Sequence, residues 1–132
     1  MSDRILGLAG VLAWTTPARF EAMRTFYVDV LELKPRSDRE HFVSFAWGAD
    51  DDLRLTISVH PGIDGSTREP LRLMINLAVD DIDAVAERLR RAGVEFTRPP
   101  ETEPWGGRIA TFHDPDGNTL QLLQPPPARP EG

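Results

Sequence analysis

The chain reads as an α+β domain in which one βαβββ unit occurs twice. Two helix starts, Thr16-Pro17 and Asp80-Asp81, stand 64 residues apart, each behind an apolar run of strand character. Trp47-Gly-Ala-Asp-Asp-Asp-Leu-Arg-Leu-Thr56 aligns without a gap on Phe112-His-Asp-Pro-Asp-Gly-Asn-Thr-Leu-Gln121, setting Leu55 on Leu120 and Thr56 on Gln121. Each helix is followed by further strand signals, so the internal repeat is the main organising feature. The first unit covers about 5–62 and the second about 70–124, within one domain over 1–124; a proline-rich tail occupies 125–132.

Residues 5–14 are apolar but broken by glycine and alanine, which suits a strand covered on both faces better than a helix. Thr16 supplies a capping hydroxyl, and Pro17 stands where a missing N–H costs nothing. Phe20, Met23, Phe26, Tyr27, Val30 and Leu31 then form one apolar stripe at helical spacing, ending near Leu31. His41–Trp47 and Leu53–Val59 read as strands. In the second, Leu53, Leu55, Ile57 and Val59 alternate with Arg54, Thr56, Ser58 and His60. Pro61–Pro70 is a linker.

The pattern restarts with a strand at Leu71–Val79 and a helix capped by Asp80 or Asp81, with Ile82, Val85, Ala86, Leu89 and Ala92 as its buried stripe. Gly93 fits a left-handed helix end. Val94–Thr97 is a short strand and Pro99–Pro104 a loop. Arg108–His113 and Asn118–Gln124 are strands joined by the turn Asp114-Pro115-Asp116-Gly117-Asn118. One helix covers one face of each unit's strands. The opposite face must be closed by the other unit, and that arrangement encloses a cavity.

Composition excludes several function classes. The chain has 132 residues, enough to bury a core without staples, and no cysteine, which removes disulfides, thiolate metal sites and thiol catalysis. Asp and Glu number 21 against 15 Lys and Arg, a net charge of −6 with no basic segment, so nucleic acid is not an expected partner. No apolar run approaches the roughly 20 residues of a membrane helix, and Met-Ser-Asp-Arg lacks the basic-then-apolar start of an export signal. The expectation is a soluble, cytoplasmic domain without a membrane partner.

Phe26-Tyr27-Val-Asp-Val-Leu31-Glu-Leu33 is similar to the "FY-x-x-x-L-G-F" helix end of the vicinal oxygen chelate superfamily, which includes glyoxalases, extradiol dioxygenases and bleomycin-type drug-binding proteins. Val79-Asp80-Asp81-Ile-Asp83 with Leu89-Arg-Arg-Ala-Gly93-Val94 resembles the opening of that family's second module. Trp105-Gly-Gly-Arg108 with Phe112-His-Asp114-Pro-Asp-Gly117-Asn118-Thr-Leu-Gln121 resembles its closing hairpin. The resemblance spans about residues 5–124 and implies a glyoxalase-like open barrel of paired mixed sheets enclosing a cavity, commonly assembled as a homodimer.

Metal-dependent members of that family place up to four His, Glu or Gln ligands around a divalent ion, on the first and last strand of each module. By that resemblance Met74 stands where the histidine of the second module does, Gln121 where the glutamate does, and Thr56 is its repeat counterpart. Between Ile5 and Thr15 there is no His, Asp, Glu, Asn or Gln. One neutral amide does not hold a divalent ion, so no metal and no other cofactor is expected. The run Asp50-Asp51-Asp52 lacks the glycine and distal glutamate of a calcium loop and reads as a solvated turn.

The candidate ligand-contacting residues are Trp47, Thr56, Ser58, His60, Met74, Asn76, Trp105, Arg108, Phe112 and Gln121. Thr56, Ser58, Met74, Asn76 and Gln121 share the expected inward parity, a mixture of apolar and hydrogen-bonding groups suited to a small molecule. His60 shares that parity and is the one candidate proton carrier; His41 and His113 read as strand-end or loop residues. Trp14 reads as core, while Trp47 is open between the helix side and the cavity. Trp105, beside two glycines, is weighed as a wall of the site against an ordinary loop residue. Arg108 offers a planar fork to an anion or, equally, an ion pair to Asp114 or Asp116. The functional expectation is a metal-independent small-molecule binding protein enclosing an aromatic or amphipathic ligand. The alternative is an enzyme of the same family, a lyase, isomerase or dioxygenase-like protein acting on a small metabolite.

Overall fold

A computed structural model describes residues 3–127. The chain divides into two compact units, meeting in sequence between Gly65 and Ser66. Each holds one four-stranded sheet, and neither sheet closes on itself. In the first unit the strands are β1 (Gly10–Thr15), β2 (Ser37–Arg39), β3 (Phe42–Trp47) and β4 (Leu53–Val59), with helix α1 (Phe20–Thr25) after β1. In the second they are β5 (Met74–Ala78), β6 (Phe96–Thr102), β7 (Arg108–His113) and β8 (Thr119–Gln124), with α2 (Ile82–Arg91) after β5. The strand orders, β1-β4-β3-β2 and β5-β8-β7-β6, are the same, and each begins with a parallel pair. The repeat is present in the register itself: Leu12 pairs Thr56 as Asn76 pairs Gln121.

In the first unit α1 lays Phe20, Met23, Tyr27 and Leu31 on Val43, Phe45, Leu55 and Ile57, all 7% exposed or less. The helix begins later than its cap. Thr16 Oγ1 accepts from the Arg19 N–H at 3.2 Å, and the helix proper starts at Phe20. Its last turn, Phe26–Val30, is π-helical, with the Leu31 N–H reaching back to the Phe26 carbonyl at 2.9 Å. That wider turn keeps Tyr27 and Leu31 on the sheet and leaves Phe26 and Val30 half-buried.

In the second unit Ile82, Ala86 and Leu89 pack on Ala110, Phe112, Leu120 and Leu122. Two side chains cap the start of α2. Asp81 Oδ1 accepts from the Ala84 N–H at 3.1 Å, and Gln124 Oε1, from β8, accepts from the Ile82 N–H at 2.7 Å. The far end closes on Gly93 at φ 95°, with the Gly93 and Val94 N–H groups bonded to the Arg90 and Leu89 carbonyls.

Three strand expectations are corrected, one of them at residues 71–73, which are not strand because β5 begins at Met74. Residues 5–9 are not strand: Ile5, Leu6 and Leu8 are exposed, and the ladder ends where Gly10 meets Arg54. β4 supplies no partner beyond that point, because its chain turns away into Gly48–Asp52. β1 is also an edge strand covered on one face, not two. The Pro99–Pro104 loop is in part strand, since β6 runs on to Thr102 through Pro99 and Pro100. An edge strand with register shifts tolerates proline, which has no N–H to give. The tail expected at 125–132 is irregular and exposed over 125–127, and its remainder lies outside the described residues.

The β7–β8 turn is organised by the buried Asp114 carboxylate. Its Oδ1 accepts from the N–H groups of Asp116 at 2.9 Å and Asn118 at 3.0 Å, and its Oδ2 from Asn118 Nδ2 at 2.8 Å. Gly117, at φ 82°, takes the left-handed position such a turn requires. Asp114→Ala strands those donors and is expected to cost about 3 kcal/mol of unfolding free energy. Urea denaturation of the variant against the parent measures it.

Candidate functional site

With one helix per sheet, strand alternation sorts every side chain to the helix side or to the helix-free face. On the first sheet's helix-free face three rows cross the strands. Leu12, Thr56, Ser44 and Ser37 form the central row. Trp14, Ser58, Phe42 and Arg39 form the next, and Gly10, Arg54 and Ala46 the third. Apolar side chains mark the edge strand, with Leu12 55% and Trp14 40% exposed, whereas the centre is recessed, with Thr56 8% and Ser44 1%. His60 follows on the same parity. Its ring meets Trp14 edge-on with centroids 5.0 Å apart, and its Nδ1 accepts from the Gly62 N–H at 2.9 Å, which leaves the neutral ring's proton on Nε2. Ser58 Oγ donates to the His41 carbonyl at 2.9 Å.

On the second sheet the helix-free face carries Asn76, Gln121, Thr111 and Arg98 in one row. Met74, Thr119 and His113 flank it on one side; Ala78, Leu123, Ile109 and Glu101 flank it on the other. Gln121 Nε2 donates to Asn76 Oδ1 at 3.0 Å. Arg98 is engaged by Glu101 at 3.1 Å and by Glu103, and those bonds hold its guanidinium pKa above the ordinary value.

Thr56, Ser58 and His60 thus share one helix-free face, and Met74, Asn76 and Gln121 the other. Four expected positions fall elsewhere. Trp47 pairs Leu53 on the helix-side parity of Val43 and Phe45. Phe112 is fully buried beneath α2, edge-on to Phe96 at 5.5 Å. Arg108 bonds Asp83 in the first turn of α2 rather than Asp114 or Asp116, and it tilts to the helix side in register with Gln124. Trp105 is 56% exposed at the tip of the β6–β7 hairpin, its ring folded so closely over Gly107 that a methyl group there would overlap it. Trp14, read from sequence as core, belongs to the helix-free face. An apolar run on an edge strand has no period to reveal which residues face outward. Ser44 gives no sequence signal of its own; its counterpart across the repeat is Thr111.

The strand register locates the residues that stand in the ion-binding rows implied by the resemblance. They are Leu12, Thr56, Gln121 and, on β5, either Met74 or Asn76. A hydrocarbon, a hydroxyl, an amide and a thioether or second amide include no imidazole or carboxylate, so this set does not fit a divalent ion. Among the described residues no group of three or more His, Asp or Glu is placed to hold a metal. In the Asp50–Asp52 turn, the Asp51 carboxylate accepts from Arg36 Nε at 2.9 Å. No helix among the described residues is long and apolar enough to cross a membrane.

The chain belongs to the Glyoxalase/Bleomycin resistance protein/Dioxygenase superfamily, whose family model matches residues 16–122. A bleomycin resistance protein of Klebsiella pneumoniae is 33% identical over 82 residues, 55% of this chain and 61% of that one, so the match spans about three fifths of that relative. A glyoxalase/bleomycin resistance protein/dioxygenase from Nocardioides superposes with a TM-score of 0.73 at 21% identity, over 99% of this chain and 91% of that one, a likeness of fold. TnmS3, an antibiotic binding protein from Streptomyces sp. CB03234, superposes with a TM-score of 0.69 at 29% identity, over 92% of this chain and 98% of that one.

Two carboxylates on the helix sides carry a pH dependence. Bonds from Arg24 to Asp38 and from Arg108 to Asp83 hold both carboxyl groups below their ordinary range. A depressed carboxyl pKa adds stability that is complete above the unfolded value of about 4 and disappears as pH falls through the folded one. Acid unfolding followed by circular dichroism is expected to be steeper below about pH 4 in the parent than in the Asp38→Asn/Asp83→Asn variant. Coincident curves would contradict it.

Proposed function

We propose that this chain is a small-molecule binding protein of the bleomycin-resistance type, working without a metal and holding an aromatic or amphipathic ligand on its helix-free sheet faces. The carrying observation is the composition of those faces. Where the resemblance puts ion ligands they present Leu12, Thr56, Gln121 and either Met74 or Asn76, and around them stand Trp14 and hydroxyls. Flat apolar area with a few fixed hydrogen-bonding groups is what a small organic ligand requires. Support also comes from the likeness to a bleomycin resistance protein and to an antibiotic binding protein.

The proposal extends to assembly as a homodimer. Ile5, Leu6, Leu8, Leu71 and Leu73 are 72–95% exposed ahead of the first strand of each unit, apolar surface that a second copy of the chain would cover. Sedimentation is expected to give a dimer at micromolar concentration; a monomer removes this part of the proposal.

Titration with aromatic and amphipathic compounds, including antibiotics, is expected to give a saturable change in tryptophan fluorescence that Trp14→Phe largely abolishes. Elemental analysis of the purified protein is expected to find no stoichiometric divalent metal. One ion per chain would instead favour a metal-dependent enzyme of the family.

A further inference from the structure

Resting on the reading that the chain binds a small molecule, we propose that Ser44 is the specificity-determining anchor of a ligand site on the first sheet. The site takes a flat aromatic molecule bearing an oxygen acceptor, neutral or anionic, and rejects its cationic analogue. Ser44 Oγ is buried and has no hydrogen-bond partner. Folded proteins rarely leave a buried hydroxyl unpaired, because its lost hydration is not replaced. The position makes this informative. Ser44 lies at the centre of the helix-free face, between Thr56 and Ser37 across the strands and between Phe42 and Ala46 along its own. At the equivalent row of the second sheet Gln121 Nε2 donates to Asn76 Oδ1 at 3.0 Å.

Charge on the same face selects the ligand's chemistry. Its rows carry Arg39 and Arg54 and no carboxylate. The acidic neighbour Asp38 has the opposite parity and is tied to Arg24 on the helix side. The Arg39 guanidinium lies 5.8 Å from the Phe42 ring centroid, and Arg54 Nε donates to the Asp51 carbonyl at 3.3 Å, so both cationic heads stay beside the face. A ligand cation would meet two arginines and no carboxylate in these rows, whereas an oxygen acceptor accepts from Ser44 beside them. Trp14, partly exposed on edge strand β1 of the same face, offers an aromatic ring for the ligand to lie against.

Isothermal titration calorimetry with naphthalene, 2-naphthoate and 2-naphthylmethylammonium tests this on the intact chain. The parent is expected to bind 2-naphthoate roughly tenfold more tightly than naphthalene, the worth of one added hydrogen bond, and the ammonium compound more weakly than either. Ser44→Ala is expected to erase the advantage of naphthoate and leave naphthalene binding unchanged. The same substitution is expected to raise the Tm of the free protein, because it removes an unsatisfied buried hydroxyl; a merely structural serine would lower it. Ser44→Ala retaining the preference, or losing Tm, overturns the anchor. So does ammonium binding as tight as that of naphthoate. If the parent binds naphthalene and naphthoate equally, the anchor fails and the binding reading stands; if none of the three binds, both fail.

Discussion

A single short helix can cover one face of a four-stranded sheet and no more. In each unit that face holds the core: Tyr27 and Met23 over Ile57 and Val43 in the first, Ile82 and Leu89 over Leu120 and Phe112 in the second. Strand alternation then fixes the rest. Once Leu55 and Leu120 are committed to the helix, Thr56 and Gln121 must point away from it, and a slip of one residue would exchange the two sets. The helix-side ties, Arg24 to Asp38, Arg108 to Asp83 and Gln124 to the α2 amide, add little energy singly at the surface. They do pin helix against sheet.

The surfaces left over differ in character. The first sheet offers aromatic and aliphatic groups at its edge, hydroxyls at its centre and arginines beside them. The second offers two amides bonded to each other, a methionine at its edge and an arginine held by two glutamates. The strand-centre groups Leu12, Thr56 and Gln121 include no imidazole or carboxylate to hold a divalent cation, and they are compatible with a ligand that is mostly carbon and carries a few oxygens. Family membership does not choose among chemistries, because one fold serves many functions; the residue types at the strand centres are what the binding proposal rests on.

Much of this was legible in the sequence, for physical reasons that can be named. The period of two in Leu53–Val59 assigned Thr56 and Ser58 to one side, and the gap-free repeat carried that parity to Gln121. Asp114 and Gly117 announced their turn through the bonds and the φ angle that only such residues supply readily. Where the signal failed, a tertiary partner decided. Apolar Ile5–Ala9 looks like a strand but has no ladder to join. Arg108 reads from sequence as open between a ligand anion and the nearby Asp114 or Asp116, whereas its partner, Asp83, lies on a helix 25 residues away. Phe112 sits in a loop-rich motif yet is core, because its register with Leu120 turns it under α2. Trp14 and Ser44 became meaningful only when four strands were laid side by side.

The central claim is that the helix-free faces, defined by strand parity, are where a ligand binds. Methyl-resolved NMR during titration with a bound aromatic compound tests it most directly. The account predicts that the methyl signals of Leu12, Thr56 and Met74 shift or broaden, while those of Leu55, Ile57, Leu120 and Leu122 hold still. Shifts concentrated in the second group, with Leu12 and Met74 unmoved, would contradict it.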